Sequence, residues 1–382
     1  MNLVFLTNHV SHYRVSTLVE LRRLVDRLTI LLSSRDCAPG LPEAGVTVQY
    51  LESLKVPRTR RHDNGYVERY EMHFPYGVLS SLRKLDPDCL LAAEFGARTA
   101  LGTLYCKLHR KPLVVHADLS EEYERGRGAV RKVLRTTLLK GIDRVLVNGR
   151  SGARYVESLG YDAGRLVNLP YATDTEHFGR IPHAAPDDGV LRLAYVGQLI
   201  ERKGLEPFVR RLGKVLAEQP ALRVELTLAG SGDQRDALAA IPCPANLAVR
   251  MPGQIPYESL GEFYSGIDVF VLPTLSDTWG LVVNESMAGG APVLGSKQAQ
   301  AVLELVEEGQ QGWVFDATSE DSIEAAIRRC LATPRDEIRR MGESARATAL
   351  RISPAYSARQ IHEACRQAIE SRGPRAATTR AL

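Results

Sequence analysis

Pro273-Thr274-Leu275-Ser276-Asp277-Thr278-Trp279-Gly280-Leu281-Val282-Val283-Asn284-Glu285-Ser286-Met287-Ala288-Gly289-Gly290-Ala291-Pro292-Val293 is the stretch from which the rest of the chain can be read. It follows Val269-Phe270-Val271-Leu272, an apolar run with the composition of a buried strand. Ser276 and Asp277 are natural helix N-caps, the pattern predicts a helix from about Gly280, and Gly289-Gly290 with Pro292 end it. A strand, a loop and the amino end of a helix thus follow one another. In a parallel sheet that helix end lies at the carboxyl edge of the strands, where backbone amides and the helix dipole attract an anion, most often a phosphate. Asp277 falls in the loop and Glu285 about one and a half turns into the helix, so they would grip different parts of one ligand. Taken singly each has a plainer explanation, Asp277 as an N-cap and Glu285 as a solvated helix residue.

Upstream, Leu193-Ala194-Tyr195-Val196-Gly197 begins a series of strands, and Gln198 to Gly204 forms its first loop before a helix from Leu205. Arg202 or Lys203 in that loop can neutralise phosphates that the helix end also attracts. Val224 to Ala229 reads as a strand ending in Gly230-Ser231-Gly232, and Leu247 to Met251 as another, leading into Pro252-Gly253-Gln254-Ile255. A Pro- and Ala-rich run from Ile181 to Gly189 reads as a linker.

The amino-terminal half alternates strand and helix. Apolar runs recur at Leu3 to Leu6, Leu28 to Leu32, Val46 to Tyr50, Asp88 to Ala92, Leu113 to Val115 and Arg144 to Val147, with helical spacing between most of them. Strands apolar on both faces and separated by helices predict a doubly wound parallel sheet. The first loop, Thr7 to Arg14, lacks Gly-x-Gly-x-x-Gly and so is no dinucleotide fingerprint; it places His12, Tyr13 and Arg14 at a helix amino end. Two strand ends are chemically loaded, one with Glu94 and the other with His116 and Asp118. Acceptor binding or proton removal is open to Glu94 and Asp118, and so is helix capping, while His12, Tyr13 and Arg14 suit an acceptor contact or plain capping and a lone His such as His116 is commonly structural. From Leu51 to His73 the pattern lapses into a polar, Arg-rich segment that reads as a long loop and an acceptor-side lid.

At 382 residues and 44% apolar content the chain can bury two cores. Its formal charge of +4 is mild, with basic clusters at Arg58-Thr59-Arg60-Arg61 and at Arg125, Arg127, Arg131, Lys132 and Arg135. These suit an anionic membrane surface, a phosphorylated acceptor or simple solvation, and lack the interleaved aromatics expected for nucleic acid. The cysteines, Cys37, Cys89, Cys106, Cys243, Cys330 and Cys365, form no Cys-x-x-Cys pair and read as reduced core thiols. Neither a signal peptide nor an apolar window of about eighteen residues is evident, so the expectation is a cytoplasmic protein, at most peripheral on the inner face of a membrane.

The stretch around Asp277 resembles the donor-binding signature of retaining GT-B-fold glycosyltransferases of family 4, the glycosyl transferases group 1. Trp279-Gly280-Leu281, Glu285-Ser286-Met287-Ala288 and Pro292-Val293 stand in register, with Asp277 where the family usually has Glu. The resemblance covers essentially the whole chain and implies two Rossmann-like domains facing a central cleft, 1–172 for the acceptor and 173–353 for the nucleotide sugar. A crossover helix at 354–371 returning to the first domain and a disordered tail at 372–382 complete the expected organisation.

By the same resemblance Glu285 accepts hydrogen bonds from ribose, while Asp277, Trp279 and the Gly280 and Leu281 amides face the sugar and distal phosphate. Lys203 holds the pyrophosphate, and Gln198 replaces the usual Arg, with Arg202 as its substitute. Gly230, Gly253 and Ile255 lie around the nucleotide, and His116 contacts the donor sugar. The implied reaction moves a sugar from a UDP- or GDP-sugar to a hydroxyl with retention, without metal or other cofactor, in polysaccharide or glycolipid synthesis. A nucleotide-sugar epimerase and a catalytically weak nucleotide-sugar-binding subunit remain open beside it.

Overall fold

Buried apolar runs set the strands of two separate sheets. The computed structural model describes residues 1–34, 40–61, 67–124 and 128–373. The chain divides into two compact units, Met1–Pro170 with Pro354–Leu382, and Tyr171–Ser353. In the first unit the strands are β1 (Asn2–Thr7), β2 (Arg27–Leu32), β3 (Thr47–Tyr50), β4 (Ser53–Arg61), β5 (Val67–Pro75), β6 (Cys89–Ala93), β7 (Leu113–Ala117), β8 (Arg144–Val147) and β9 (Leu166–Asn168). In the second they are β10 (Val190–Val196), β11 (Arg223–Ala229), β12 (Leu247–Gly253), β13 (Val269–Leu272), β14 (Val293–Ser296) and β15 (Gly312–Phe315).

The first sheet runs β3-β2-β1-β6-β7-β8-β9 and the second β12-β11-β10-β13-β14-β15, every pair parallel. Both are doubly wound Rossmann-like sheets, and each reverses direction beside its first strand, between β1 and β6 and between β10 and β13. Alternation along β1 shows why its whole length is apolar. Val4 and Leu6 pack with Leu82, Tyr105 and Leu138 on one face, while Leu3 and Phe5 pack with Leu18, Leu21 and Ile361 on the other. The helix Pro354–Glu370 belongs to the first unit, where Ile361 and Cys365 enter its core beside the helix His12–Leu24.

Several expectations are corrected. Leu51 to His73 is not a long loop, because β4 and β5 pair antiparallel from Ser53↔Pro75 to Arg61↔Val67. Leu54 faces Phe74 in that register and both are exposed, so this opposed apolar pair is not a core pair. Arg135 is no surface cation: it is 1% exposed and forms an ion pair with Glu124 at 2.6 Å. Cys243 is exposed, whereas Cys89, Cys106, Cys330 and Cys365 are buried as expected. Of the expected tail, Arg372 pairs with Asp143 at 2.8 Å. Residues 374–382, like Cys37, Arg125 and Arg127, lie outside the described residues.

Candidate functional site

In the second unit, loops leave the adjacent strands β10 and β13 at the reversal of strand order, the position at which open parallel sheets commonly hold ligands. The first loop carries Gln198 and the turn Glu201–Lys203, then the helix Leu205–Ala217; the second carries Pro273 to Gly280, then the helix Leu281–Ala288. Lys203 Nζ lies 2.6 Å from Asp277 Oδ2, joining the two. The Leu275 N–H donates to the Arg202 carbonyl at 2.9 Å, and Arg202 Nη1 donates to the Ser276 carbonyl at 2.6 Å. Gly204 permits this approach, since a Cβ there would stand 2.1 Å from the Pro273 carbonyl oxygen. Arg202 therefore braces the loop with at least one of its guanidinium nitrogens.

The helix Leu281–Ala288 begins at Gly280, φ +93°, with no side chain capping it and no acid in its first turn. Asp277 is not its cap. Its Oδ1 accepts from the Trp279 N–H at 3.4 Å, inside the loop, so the plain N-cap explanation fails. The leading amides of the helix are thus left for an anion. Glu285 is not solvated either. It is buried, the Tyr264 hydroxyl donates to its Oε2 at 3.1 Å, and burial raises its carboxyl to about 7 against that hydrogen bond.

Trp279, expected beside the ligand, is fully buried. Its Nε1–H donates to Asn284 Oδ1 at 2.8 Å, and Asn284 Nδ2 donates to the Tyr171 carbonyl at 2.9 Å, so the indole supports the loop from beneath. Gln198 is exposed, and its carbonyl accepts from the Tyr195 hydroxyl at 2.8 Å. Gly230 N–H donates to the Gly253 carbonyl at 2.7 Å, and a Cβ on Gly230 would stand 1.8 Å from the Gly197 oxygen. Loops after β10, β11 and β12 are thereby closed onto one another, with Ile255 half-buried against the core below.

In the first unit the adjacent strands β1, β6 and β7 bring together residues far apart in sequence. Arg14 Nη2 lies 2.7 Å from Asp118 Oδ2, Asp118 N–H donates to Glu94 Oε1 at 3.3 Å, and His116 Nε2 is 3.7 Å from Asp118 Oδ1. Burial, reinforced by Asp118, pushes the Glu94 carboxyl up to about 8. Burial and then Arg14 push His116 down to about 4, so its imidazole is neutral at pH 7. Glu94 holds φ +64°, a left-handed backbone that a residue with a side chain rarely adopts and that clusters at functional sites. Tyr13 accepts from Arg14 Nε at 3.3 Å, whereas His12 is exposed at the start of its helix and the structure records no bond from it to this group.

Tyr264, Asn284 and Tyr171 shape the site yet carried no signal in the sequence. Tyr264 reaches Glu285 from the neighbouring helix Tyr257–Ser265, a contact between elements that no local pattern encodes. Asn8 accepts from Arg98 Nη1 at 3.3 Å beside the first-unit group, a contact between elements that the first loop's sequence does not encode.

Residues 191–333 match the family described as glycosyl transferases group 1. The chain is 30% identical over 264 residues to the D-inositol 3-phosphate glycosyltransferase of Nocardia farcinica, covering 64% of this chain and 57% of that one. It is 31% identical over 143 residues to an uncharacterised glycosyltransferase of Methanocaldococcus jannaschii, covering 37% and 35%. The chain therefore spans about half or less of these relatives' length. Among solved structures, Anabaena HepE in complex with UDP superposes with a TM-score of 0.72 at 17% identity, covering 96% of this chain and 100% of that one. The fold is thus that of GT-B glycosyltransferases, two Rossmann-like parallel-sheet domains.

Proposed function

We propose that this chain is a retaining glycosyltransferase that moves a sugar from a nucleotide diphosphosugar, UDP- or GDP-linked, to a hydroxyl of a saccharide or lipid-linked acceptor. The observation that carries the reading is the Lys203–Asp277 pair at the reversal of the second sheet, beside an uncapped helix end. The match of residues 191–333 to glycosyl transferases group 1 and the likeness to a UDP-bound structure support it. In the difficult step the bond from the anomeric carbon to the phosphate oxygen breaks, and its electron pair leaves with the nucleoside diphosphate. Lys203 and the amides at the start of the helix Leu281–Ala288 stabilise that growing negative charge. Asp277, released from Lys203 by the phosphate, accepts hydrogen bonds from the sugar, and the Glu285 carboxylate accepts them from ribose. Neutral His116 orients a sugar hydroxyl without adding charge to the oxocarbenium-like centre, and Arg14, Glu94 and Asp118 serve the acceptor.

Calorimetry with UDP, GDP, ADP, NAD and uridine on wild type and Lys203→Ala tests the reading. UDP or GDP binds the wild type, and Lys203→Ala weakens that nucleotide about ten- to a hundredfold, as expected for a charged hydrogen bond, while leaving uridine unchanged. Binding of NAD alone, or equal losses for uridine and UDP, would sink it. The proposed reaction proceeds in excess EDTA; loss of turnover on chelation and its return with metal would remove metal independence. A nucleotide-sugar epimerase is the second reading, favoured by the raised Glu94 carboxyl beside Asp118. Altered sugar still attached to the nucleotide, formed without acceptor, would identify it.

A further inference from the structure

The helices covering the two faces of the first sheet differ in what they show to solvent. On one face the helices His12–Leu24 and Pro354–Glu370 pack together and carry Glu20, Glu363 and Glu370 among their bases. On the other lie the helices Val78–Leu85, Ala97–His109 and Ala129–Leu139. Here large apolar side chains stand in water: Leu104 and Leu108 on the second helix, the latter 64% exposed, and Val130 (85%), Val133 (65%) and Leu134 on the third. Spacings of three and four residues align each set along one outward stripe.

These stripes are neighbours. Gly141, just after the third helix, sits so close to the second that a Cβ would meet Thr103 and Lys107 side chains at 2.7 and 2.9 Å. Strand β5 packs against the second helix from another side, and Tyr50, Leu54, Phe74 and Tyr76 at the base of the hairpin are exposed too. Apolar exposure gathered on adjoining elements marks an interaction surface, whereas single exposed residues do not.

Charge selects the occupant. Segments 54–61, 97–111 and 128–141 contain no Asp or Glu. Lys111, Arg131 and Arg135 are answered by Asp86 and Glu124, but Lys107, Arg110, Lys132 and Lys140 are exposed beside the apolar stripes, with Arg58 on the hairpin. The Arg135–Glu124 pair, with the Tyr155 hydroxyl 2.8 Å from Arg135 Nη1, anchors the third helix from within. An apolar stripe flanked by cations fits an anionic lipid surface, where aliphatic side chains enter the acyl boundary and ammonium groups meet phosphates. A second copy would set these two acid-free helices cation against cation, and nucleic acid would leave the valines and leucines unburied. We infer that this face of the first unit docks onto an anionic membrane surface. Among the described residues no helix is long and apolar enough to cross a membrane, so the contact is peripheral. The inference stands independently of the proposed transfer reaction.

The test is co-sedimentation of the full chain with vesicles of phosphatidylcholine alone or mixed with phosphatidylglycerol, at low and high ionic strength. Wild type binds the anionic vesicles at low salt and releases at high salt. Leu108→Glu with Val133→Glu abolishes binding, and Lys107→Gln with Lys132→Gln weakens it about fivefold per residue. All four positions are exposed, and unchanged thermal melts control for folding. Equal binding to neutral vesicles, no binding at all, or variants that bind as wild type would overturn the inference. So would a wild-type dimer in light scattering that Leu108→Glu with Val133→Glu converts to monomer, which would assign the face to a second copy.

Discussion

Glu285→Gln separates the cost of burying a carboxylate from its use. Burial raises the Glu285 carboxyl from its ordinary 4.5 to about 7, with the Tyr264 hydroxyl opposing the shift. Between those two values the folded unit holds a proton that the unfolded chain has released. Stability therefore falls as pH rises through this window, and the loss is complete above about 7. A difference of this size corresponds to about 3 kcal/mol. Gln cannot ionise and its amide oxygen can still accept from Tyr264, so the variant should match wild type near pH 4 and exceed it by up to about 3 kcal/mol near pH 8. The assay is urea unfolding followed by tryptophan fluorescence across that range. Both tryptophans, Trp279 and Trp313, are buried in the second unit, so the signal reports the unit that contains Glu285. If the same residue accepts ribose hydroxyls, Glu285→Gln also weakens UDP by about tenfold or more while the protein becomes more stable. A stability difference that stays constant with pH would refute the buried-carboxylate argument, whatever happens to UDP.

Arg135→Met leaves the buried Glu124 to the exposed Arg131, 3.3 Å away, and should cost about 1.5–3 kcal/mol, with part of the loss recovered when Glu124→Gln is added; a single variant melting with wild type would contradict it. Gly230→Ala drives a Cβ to 1.8 Å from the Gly197 oxygen at φ +138° and should lower the second unit's urea midpoint by more than about 2 kcal/mol equivalent, an unchanged midpoint being the adverse result. His116, held near 4 rather than 6.5, contributes stability that is present above about pH 6.5 and lost as pH falls toward 4. Its ring resonances in NMR should titrate near 4, and a midpoint above 6 would show the imidazole to be solvated.

What was legible in the sequence was what local pattern encodes. Val269 to Leu272 is apolar at every position because both faces of β13 are covered, and Gly289-Gly290 with Pro292 stops the helix where the structure stops it, after Ala288. Strand and helix in alternation required parallel sheets, and the spacing of Asp277, Gly280 and Glu285 put a loop acid, a helix start and a helix acid after one strand. The hairpin β4–β5 was missed because its segment is polar and Arg-rich without apolar alternation, while the pairing itself is made by backbone groups that leave no pattern in the side chains. Arg135 was misjudged because a run of bases gives no hint that Glu124, Tyr155 and the Phe95 ring, 5.5 Å from its guanidinium, enclose one of them.

The sequence by itself determined the two doubly wound units, the strand ends at which Glu94, His116 and Asp118 stand, and Lys203, Asp277 and Glu285 as the residues to examine. Only the tertiary structure decided what each of them touches. Lys203 meets Asp277 because β10 and β13 are neighbours at a reversal of strand order, although 74 positions separate the residues. Glu285 changes from a solvated helix acid to a carboxyl raised to about 7 because the surrounding core excludes water, against the Tyr264 hydrogen bond. Hydrophobic pattern is a property of a few consecutive residues, whereas ion pairing and desolvation depend on distances between elements, which exist only once the sheets have formed.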